Sequence, residues 1–263
     1  MISKQHIHPI LFVGAGPGDP ELITVKGQKA LQMADVIVYA GSLVPQELLN
    51  WSSSKTEYYN SATMDLNEIM NIMVKANQNG KRVVRLHTGD PSLYGAIFEQ
   101  MSVLKKHGIE YQIIPGVTAA FAAAASLKIE YTIPELNQTL ILTRMAGRTP
   151  VPELENLESL AKHQSSMAIY LSMSLIDQIG PILTKAYGEK AICAVVYKAS
   201  YPDEQIHYMP VNQLPQKVKA LNIKKHALVI VGNALKQQPS TENLRSKLYD
   251  NHFSHEYRKP SHA

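Results

Sequence analysis

Seven consecutive residues, Gly89-Asp90-Pro91-Ser92-Leu93-Tyr94-Gly95, combine the features of a small-ligand loop. Glycine permits close backbone approach, proline fixes a bend, and one carboxylate stands between them. Asp90 could orient a ligand or a cofactor, or it could accept backbone N–H groups within its own turn. Upstream, Arg82-Val83-Val84-Arg85-Leu86-His87 reads as a buried central strand of a parallel sheet. Downstream, Tyr94, Ile97, Phe98, Met101 and Leu104 recur at helical spacing as far as Gly108, which predicts a helix entered directly from the loop. The loop then lies at a strand's carboxyl end, where open α/β sheets bind ligands. An ordinary tight turn has the same composition.

A second loop has the same character. Pro9 to Val13 reads as the first strand and runs into Gly14-Ala15-Gly16-Pro17-Gly18-Asp19-Pro20-Glu21. A dinucleotide fingerprint needs a glycine where Asp19 stands, and no Lys-Ser/Thr pair follows to make a Walker loop. Pro17 removes an N–H donor and Asp19 adds negative charge, so phosphate is a poor ligand. Asp19 reads instead as a helix N-cap with Pro20 in the first turn, and a single helix is predicted from about Glu21 to Ala34.

The elements needed to position these loops follow in alternation. A strand at Asp35–Tyr39, a helix carrying Leu66, Ile69, Met70, Met73 and Val74, and a strand at Tyr111–Ile114 predict a parallel sheet covered by helices. At Pro115-Gly116 the chain turns into an alanine-rich helix over Val117–Leu127. Beyond it, strands are expected at Thr139–Leu142, Met167–Leu171, Ala191–Tyr197, Ile206–Met209 and Ala227–Val231. Helices are expected at Glu153–His163, Ser174–Tyr187 and Val211–Ala220. The expected organisation is an α/β domain over 1–115, a second α/β domain with a mixed sheet over 116–235, and a tail over 236–263. Tyr249, Phe253 and Tyr257 make the tail aromatic enough to pack on a subunit interface.

Composition bounds the function classes. The 263 residues are 45% hydrophobic with a net charge of +4, enough for a sizeable core and compatible with an acidic partner. No apolar run reaches membrane-spanning length, and Met1–His8 carries no signal-peptide stretch, so a cytoplasmic protein with no membrane partner is expected. The one cysteine, Cys193, falls in an apolar strand and reads as packing. His252 and His255 have suggestive spacing in the tail, yet no cysteine or carboxylate cluster accompanies them, so no protein-bound metal is expected. His87 reads as strand-end packing or a hydrogen bond.

Four ordered motifs resemble the tetrapyrrole methylases: Gly14 to Thr24, Ala34-Asp35-Val36-Ile37-Val38-Tyr39, Gly89-Asp90-Pro91, and Pro115-Gly116-Val117-Thr118-Ala119. The resemblance spans roughly residues 9 to 235. Tyr39-Ala40-Gly41-Ser42-Leu43-Val44, His87-Thr88, Gln138 to Arg144, Gly147 to Pro150 and Leu244 to Asp250 are similar to one branch of that family, which acts on a corrin precursor of cobalamin synthesis. The resemblance implies two αβα domains of the class III methyltransferase type, with the cofactor S-adenosylmethionine and the substrate in a cleft between them, and usually a homodimer. By the same resemblance the cofactor would meet Pro17, Gly89, Asp90, Pro91, Leu93, Thr118, Ala119, Leu171, Met173, Ala199 and Ala227. The last four rest on relative position alone, and core packing explains them equally well.

A sulfonium carries its own leaving group, so methyl transfer needs orientation more than a strong acid or base. A tetrapyrrole rich in acetate and propionate needs cations. Arg144 and Arg148, read as lying on the loop after a strand, and Lys198 are the candidates for substrate carboxylates, with Asp90 and Arg144 as candidate catalytic groups. Any cobalt would sit inside the tetrapyrrole. Three other readings stay open. A relative acting on ribosomal RNA should show a concentrated basic stripe with exposed aromatics; none is evident, so no nucleic-acid partner is expected. A nicotinamide-dependent oxidoreductase lacks its glycine spacing and its acidic ribose partner here. A non-catalytic tetrapyrrole carrier would share every one of these motifs.

Overall fold

The computed structural model describes residues 8–41 and 43–236, together with 253, 254 and 256. Ser42, His252, His255 and the tail residues Leu244–Asp250 and Tyr257 therefore lie outside the described residues. The chain forms two compact units. One takes the described residues up to Ala122 plus Lys198–Asp203, and the other takes Ala123–Tyr197 plus the described residues from Glu204 onward.

In the first unit the order is β1 (Ile10–Gly14), α1 (Val25–Gln32), β2 (Val36–Tyr39), β3 (Glu57–Asn60), α2 (Leu66–Gln78), β4 (Val83–His87), α3 (Ile97–Lys106) and β5 (Tyr111–Ile114). The strands form one parallel sheet in the order β3-β2-β4-β1-β5. β4 is central and all five of its residues are buried, as its β-branched apolar run requires. Ile10, Phe12, Val38 and Val83 pack under α2 and α3, while Val13, Ile37, Val84 and Leu86 pack with Ala30 and Leu31 of α1. Asp65 and Glu68 form a reciprocal capping box that starts α2.

Two local expectations change, and one strand is added. The helix expected over 21–34 is split: Asp19 caps a 3-10 turn at Pro20–Leu22, Ile23 is extended, and the Thr24 hydroxyl accepts from Gly27 N–H to begin α1 afresh. The helix after the Gly89 loop starts at Ile97 rather than Tyr94, because Tyr94 (φ 58°) and Ala96 (φ 49°) are left-handed and cannot extend it. The edge strand β3 has no apolar alternation to announce it; it is held by the ladder from Val36↔Glu57 to Tyr39↔Asn60 and by the Lys81–Glu57 ion pair.

Helix α4 (Ala119–Leu127) follows β5, and the division between the two units falls within it. The second unit then runs β6 (Leu140–Arg144), α5 (Leu157–Ala161), β7 (Ser166–Tyr170), α6 (Ile176–Tyr187), β8 (Ile192–Tyr197), β9 (Gln205–Pro210), α7 (Leu214–Ala220) and β10 (Ala227–Val231). Its sheet is mixed, in the order β6-β7-β10-β8-β9. The β6–β7 pair is parallel and the other pairings are antiparallel. Each expected helix of this unit opens with a 3-10 turn before α5, α6 or α7. Asn156 supplies the break before α5 by accepting from Ser159 N–H. Cys193 is buried strand packing, and burial pushes its thiol up to about 12.

Candidate functional site

The carboxyl ends of β4, β1 and β5 are neighbours, and their loops are fastened to one another by backbone. Ala15 N–H donates to the His87 carbonyl at 2.7 Å, Gly89 N–H to the Gly16 carbonyl at 2.7 Å, and Gly16 N–H to the Gly89 carbonyl at 3.3 Å. A Cβ on Gly14 would stand 2.6 Å from both Gly116 Cα and the Gly89 carbonyl oxygen, and one on Gly116 would stand 2.1 Å from that same oxygen. Gly14 and Gly116, packed on the Gly89 carbonyl, thus have no room for a side chain. Gly89 differs: its φ of +60° demands glycine, yet the nearest atom to an added Cβ is Thr118 Cα at 3.8 Å. The loop therefore rests in ordinary contact against the start of α4, where the Thr118 carbonyl accepts from Phe121 N–H.

Asp90 stitches this arrangement. Its Oδ1 accepts from Ser92 N–H at 2.8 Å, and its Oδ2 accepts from Gly116 N–H at 2.9 Å. Of the two roles open to it, the structure displays the backbone one. Asp19 likewise caps its turn, accepting from Glu21 N–H at 2.8 Å. Pro17, Pro91 and Thr118 are buried, and Leu93 and Ala119 partly so. These residues, with Gly89 and Asp90, form one cluster of loops in the first unit.

In the second unit β6, β7 and β8 end along the edge where β10 begins. Arg144 is the last residue of β6 rather than a loop residue, since its ladder partner is Tyr170. Its guanidinium donates to the carbonyls of Thr149 (3.1 Å) and Pro150 (2.7 Å), wrapping the 145–150 loop around itself. Arg148, within that loop, is exposed. Leu171 follows β7 with φ 52° and is 66% exposed, an apolar side chain turned to solvent, while Met173 and Ala227 are buried. Ser172 links the two strand ends, its Oγ accepting from Met145 N–H at 2.9 Å and donating to the Tyr170 carbonyl at 2.6 Å. Lys198 and Ala199 continue from β8, and Lys198 is ion-paired with Asp203.

Two buried ionisable groups lie on β4 beside the loop cluster. Arg85 donates to Gln100 Oε1 and the Val38 carbonyl, both at 3.2 Å, and burial lowers it to about 10. His87 is 4% exposed, stacks on Phe12 with centroids 6.0 Å apart, and its Nε2 has no partner. Burial, with the Arg85 charge adding to it, pushes His87 down to about 3, so it is a neutral packing residue at neutral pH. Among the described residues no group of three or more His, Cys, Asp or Glu is placed to hold a metal ion. No described helix is long and apolar enough to cross a membrane.

Residues 9–215 match the family model described as Tetrapyrrole (Corrin/Porphyrin) Methylases. The chain is a tetrapyrrole methylase. Among its relatives, a Methanocaldococcus jannaschii protein named cobalt-precorrin-4 C(11)-methyltransferase is 55% identical over 95% of this chain and 96% of its own length. A Pseudomonas aeruginosa protein named precorrin-4 C(11)-methyltransferase is 45% identical over 95% and 98%. The solved structure of a cobalt precorrin-4 methyltransferase, CbiF, matches with a TM-score of 0.85 at 47% identity, covering 89% of this chain and 99% of that one. The uroporphyrin-III C-methyltransferase of Thermus thermophilus shares the class III fold of this methylase, with a TM-score of 0.72 at 24% identity.

The motif reading did not single out Ser200 and Tyr201, although both are bonded to loops of the first sheet. Their partners lie 181 and 158 residues away, and nothing local in the sequence marks such contacts.

Proposed function

We propose that this tetrapyrrole methylase transfers a methyl group from S-adenosylmethionine to C-11 of precorrin-4 or its cobalt complex, giving the corresponding precorrin-5 in corrin ring synthesis. The observation that carries the reading is the agreement of two relatives and one solved structure, each at least 45% identical across nearly the whole chain. The Methanocaldococcus jannaschii relative at 55% identity and the solved structure at 47% both carry the cobalt name, which favours the cobalt complex as substrate. The cobalt belongs to the substrate.

The loop cluster suits a cofactor that carries no phosphate. Its floor is glycine backbone, and its phosphate-repelling Asp19 serves as a cap. Pro17, Gly89, Asp90, Pro91, Leu93, Thr118 and Ala119 would hold S-adenosylmethionine there, with Ala199. In the second unit Leu171, Met173 and Ala227 are the candidates. When bound, the sulfonium supplies a methyl group with a good leaving group, so the residues of the chain have to orient rather than activate. Asp90 serves by holding the Gly89 loop against Gly116. Arg144 serves by shaping the 145–150 loop, which leaves exposed Arg148 as the first candidate for a substrate carboxylate. Lys198, paired with Asp203, is a second. The same reading carries a cytoplasmic homodimer with it, and sedimentation tests the assembly.

The direct test incubates the protein with methyl-labelled S-adenosylmethionine and either precorrin-4 or cobalt-precorrin-4. Label should enter the tetrapyrrole, faster with the cobalt complex. Tight cofactor binding with no transfer to either substrate would move the activity to another tetrapyrrole or leave a non-catalytic carrier.

A further inference from the structure

The connection between β8 and β9, Lys198–Asp203, packs with the loops of the first sheet. Ser200 Oγ accepts a hydrogen bond from Asp19 N–H at 2.9 Å. The Tyr201 hydroxyl donates to the Leu43 carbonyl beyond β2 at 3.0 Å. The Tyr201 ring covers Gly18 so closely that a Cβ there would lie 2.2 Å from it. Gly18 has no left-handed backbone to explain its identity, so the ring is the physical reason for a glycine at this position.

The connection is also held in a costly shape. Lys198 (φ 50°) and Ser200 (φ 68°) are both left-handed, a conformation that costs non-glycine residues about 1 kcal/mol or more. Tyr201 N–H donates to the Lys198 carbonyl at 3.0 Å, the Lys198–Asp203 ion pair closes the turn, and the Lys198 ammonium lies 6.0 Å from the Tyr201 ring centroid. Simple packing of a ring against a loop would need neither the strained backbone nor two long-range polar fastenings. Both fastenings end on the loops after β1 and β2.

We propose that Tyr201, with Ser200, is a positioning residue for the Gly14–Asp19 loop. The ring fixes the height of Gly18, the hydroxyl anchors the ring on Leu43, and Ser200 holds the Asp19 peptide. Neither side chain needs to touch the reacting groups; both act through the loop backbone. This inference rests on the reading that the loop cluster holds S-adenosylmethionine.

Calorimetry with S-adenosylhomocysteine, below the unfolding transition of each variant, tests it. Tyr201→Phe keeps the ring and loses the anchor, so Kd should rise roughly three- to tenfold, as for one lost hydrogen bond. Tyr201→Ala should exceed tenfold. The cofactor KM should rise in parallel while kcat at saturating cofactor stays within about twofold, a split that general destabilisation would not produce. Gly18→Ala should weaken binding strongly in the wild-type background and much less in the Tyr201→Ala background, because the ring it strikes is gone. Binding within twofold of wild type in both Tyr201 variants, or independent multiplication of the Gly18 and Tyr201 effects, would overturn the proposal. A wild-type protein that fails to bind S-adenosylhomocysteine would overturn the cofactor reading itself, an outcome distinct from either.

Discussion

Adding one methyl group at Gly116 should damage this enzyme more than most larger changes. In Gly116→Ala the new Cβ would stand 2.1 Å from the Gly89 carbonyl oxygen, 2.8 Å from Gly14 Cα and 3.0 Å from Gly14 C. The first of these is more than 1 Å short of an ordinary contact of about 3.5 Å. All three neighbours are backbone, so no side chain can rotate away, and the β5 loop must move off the β1 and β4 loops. Overpacking of this kind costs about 1–3 kcal/mol, and each kcal/mol lowers Tm by about 2–4 °C in a chain of this size. The expected fall is therefore roughly 2–12 °C. A displacement of about 1 Å in groups that position reactants costs on the order of 100-fold in rate, so kcat/KM should fall further than stability alone explains. Gly108→Ala is the comparison: its φ of +65° gives a stability loss with nothing within 4 Å of the new atom, so kcat/KM should hold. Thermal scans and steady-state kinetics on both variants decide the matter. Gly116→Ala with unchanged Tm and kcat/KM would refute the claim that three glycine backbones set the loop geometry.

Asp90→Asn retains an amide oxygen that can accept from Gly116 N–H, so it should bind S-adenosylhomocysteine more tightly than Asp90→Ala; the reverse order by calorimetry would show that the bond to Gly116 does not support binding. A bulky residue at Gly89 should weaken binding more than Asp90→Ala, since it both strains a φ of +60° and presses on the Thr118 backbone, 3.8 Å from a Cβ there. His87 is lowered from 6.5 to about 3 in the folded chain, so between those values the unfolded state binds the extra proton and stability falls as pH falls. At pH 5 the loss is about 2 kcal/mol relative to neutral pH, and His87→Phe should flatten that acid limb in urea titrations; an unchanged slope would contradict it. Arg148→Ala should raise the KM of the tetrapyrrole and leave that of S-adenosylmethionine. Arg144→Ala should add a loss of order in the 145–150 loop, visible as faster amide exchange there. Equal effects on both KM values would remove Arg148 from the substrate contacts.

Much of this architecture is written locally. The β-branched run Val83–Leu86 and the glycine loops at the ends of β1 and β4 follow from strand burial and turn chemistry, which neighbouring residues decide. Asp19 and Pro20 announce a helical start correctly, but not that the first turn would stop at Leu22 and restart from Thr24, because two caps in succession compete over five residues. Tyr94 has the right spacing for a helix; its left-handed φ comes from the reversal of the Gly89 loop and leaves no periodicity signal. Strand β3 and the Ser200 and Tyr201 fastenings of the 198–203 connection leave no local signal for a different reason. Each is held by partners distant in sequence, and an exposed Glu57-Tyr58-Tyr59-Asn60 or an isolated Tyr201 carries no pattern to read. Arg144 shows the limit for function: its type and place suggested a carboxylate partner, whereas its nearest oxygens belong to its own loop.

Methyl transfer to one carbon of one corrin precursor is decided by S-adenosylmethionine carrying a 13C-labelled methyl group, with cobalt-precorrin-4 and precorrin-4 in separate reactions and NMR of the isolated product. A single enriched methyl on C-11 is the predicted result. Enrichment at any other ring carbon, or none in either reaction, would contradict it.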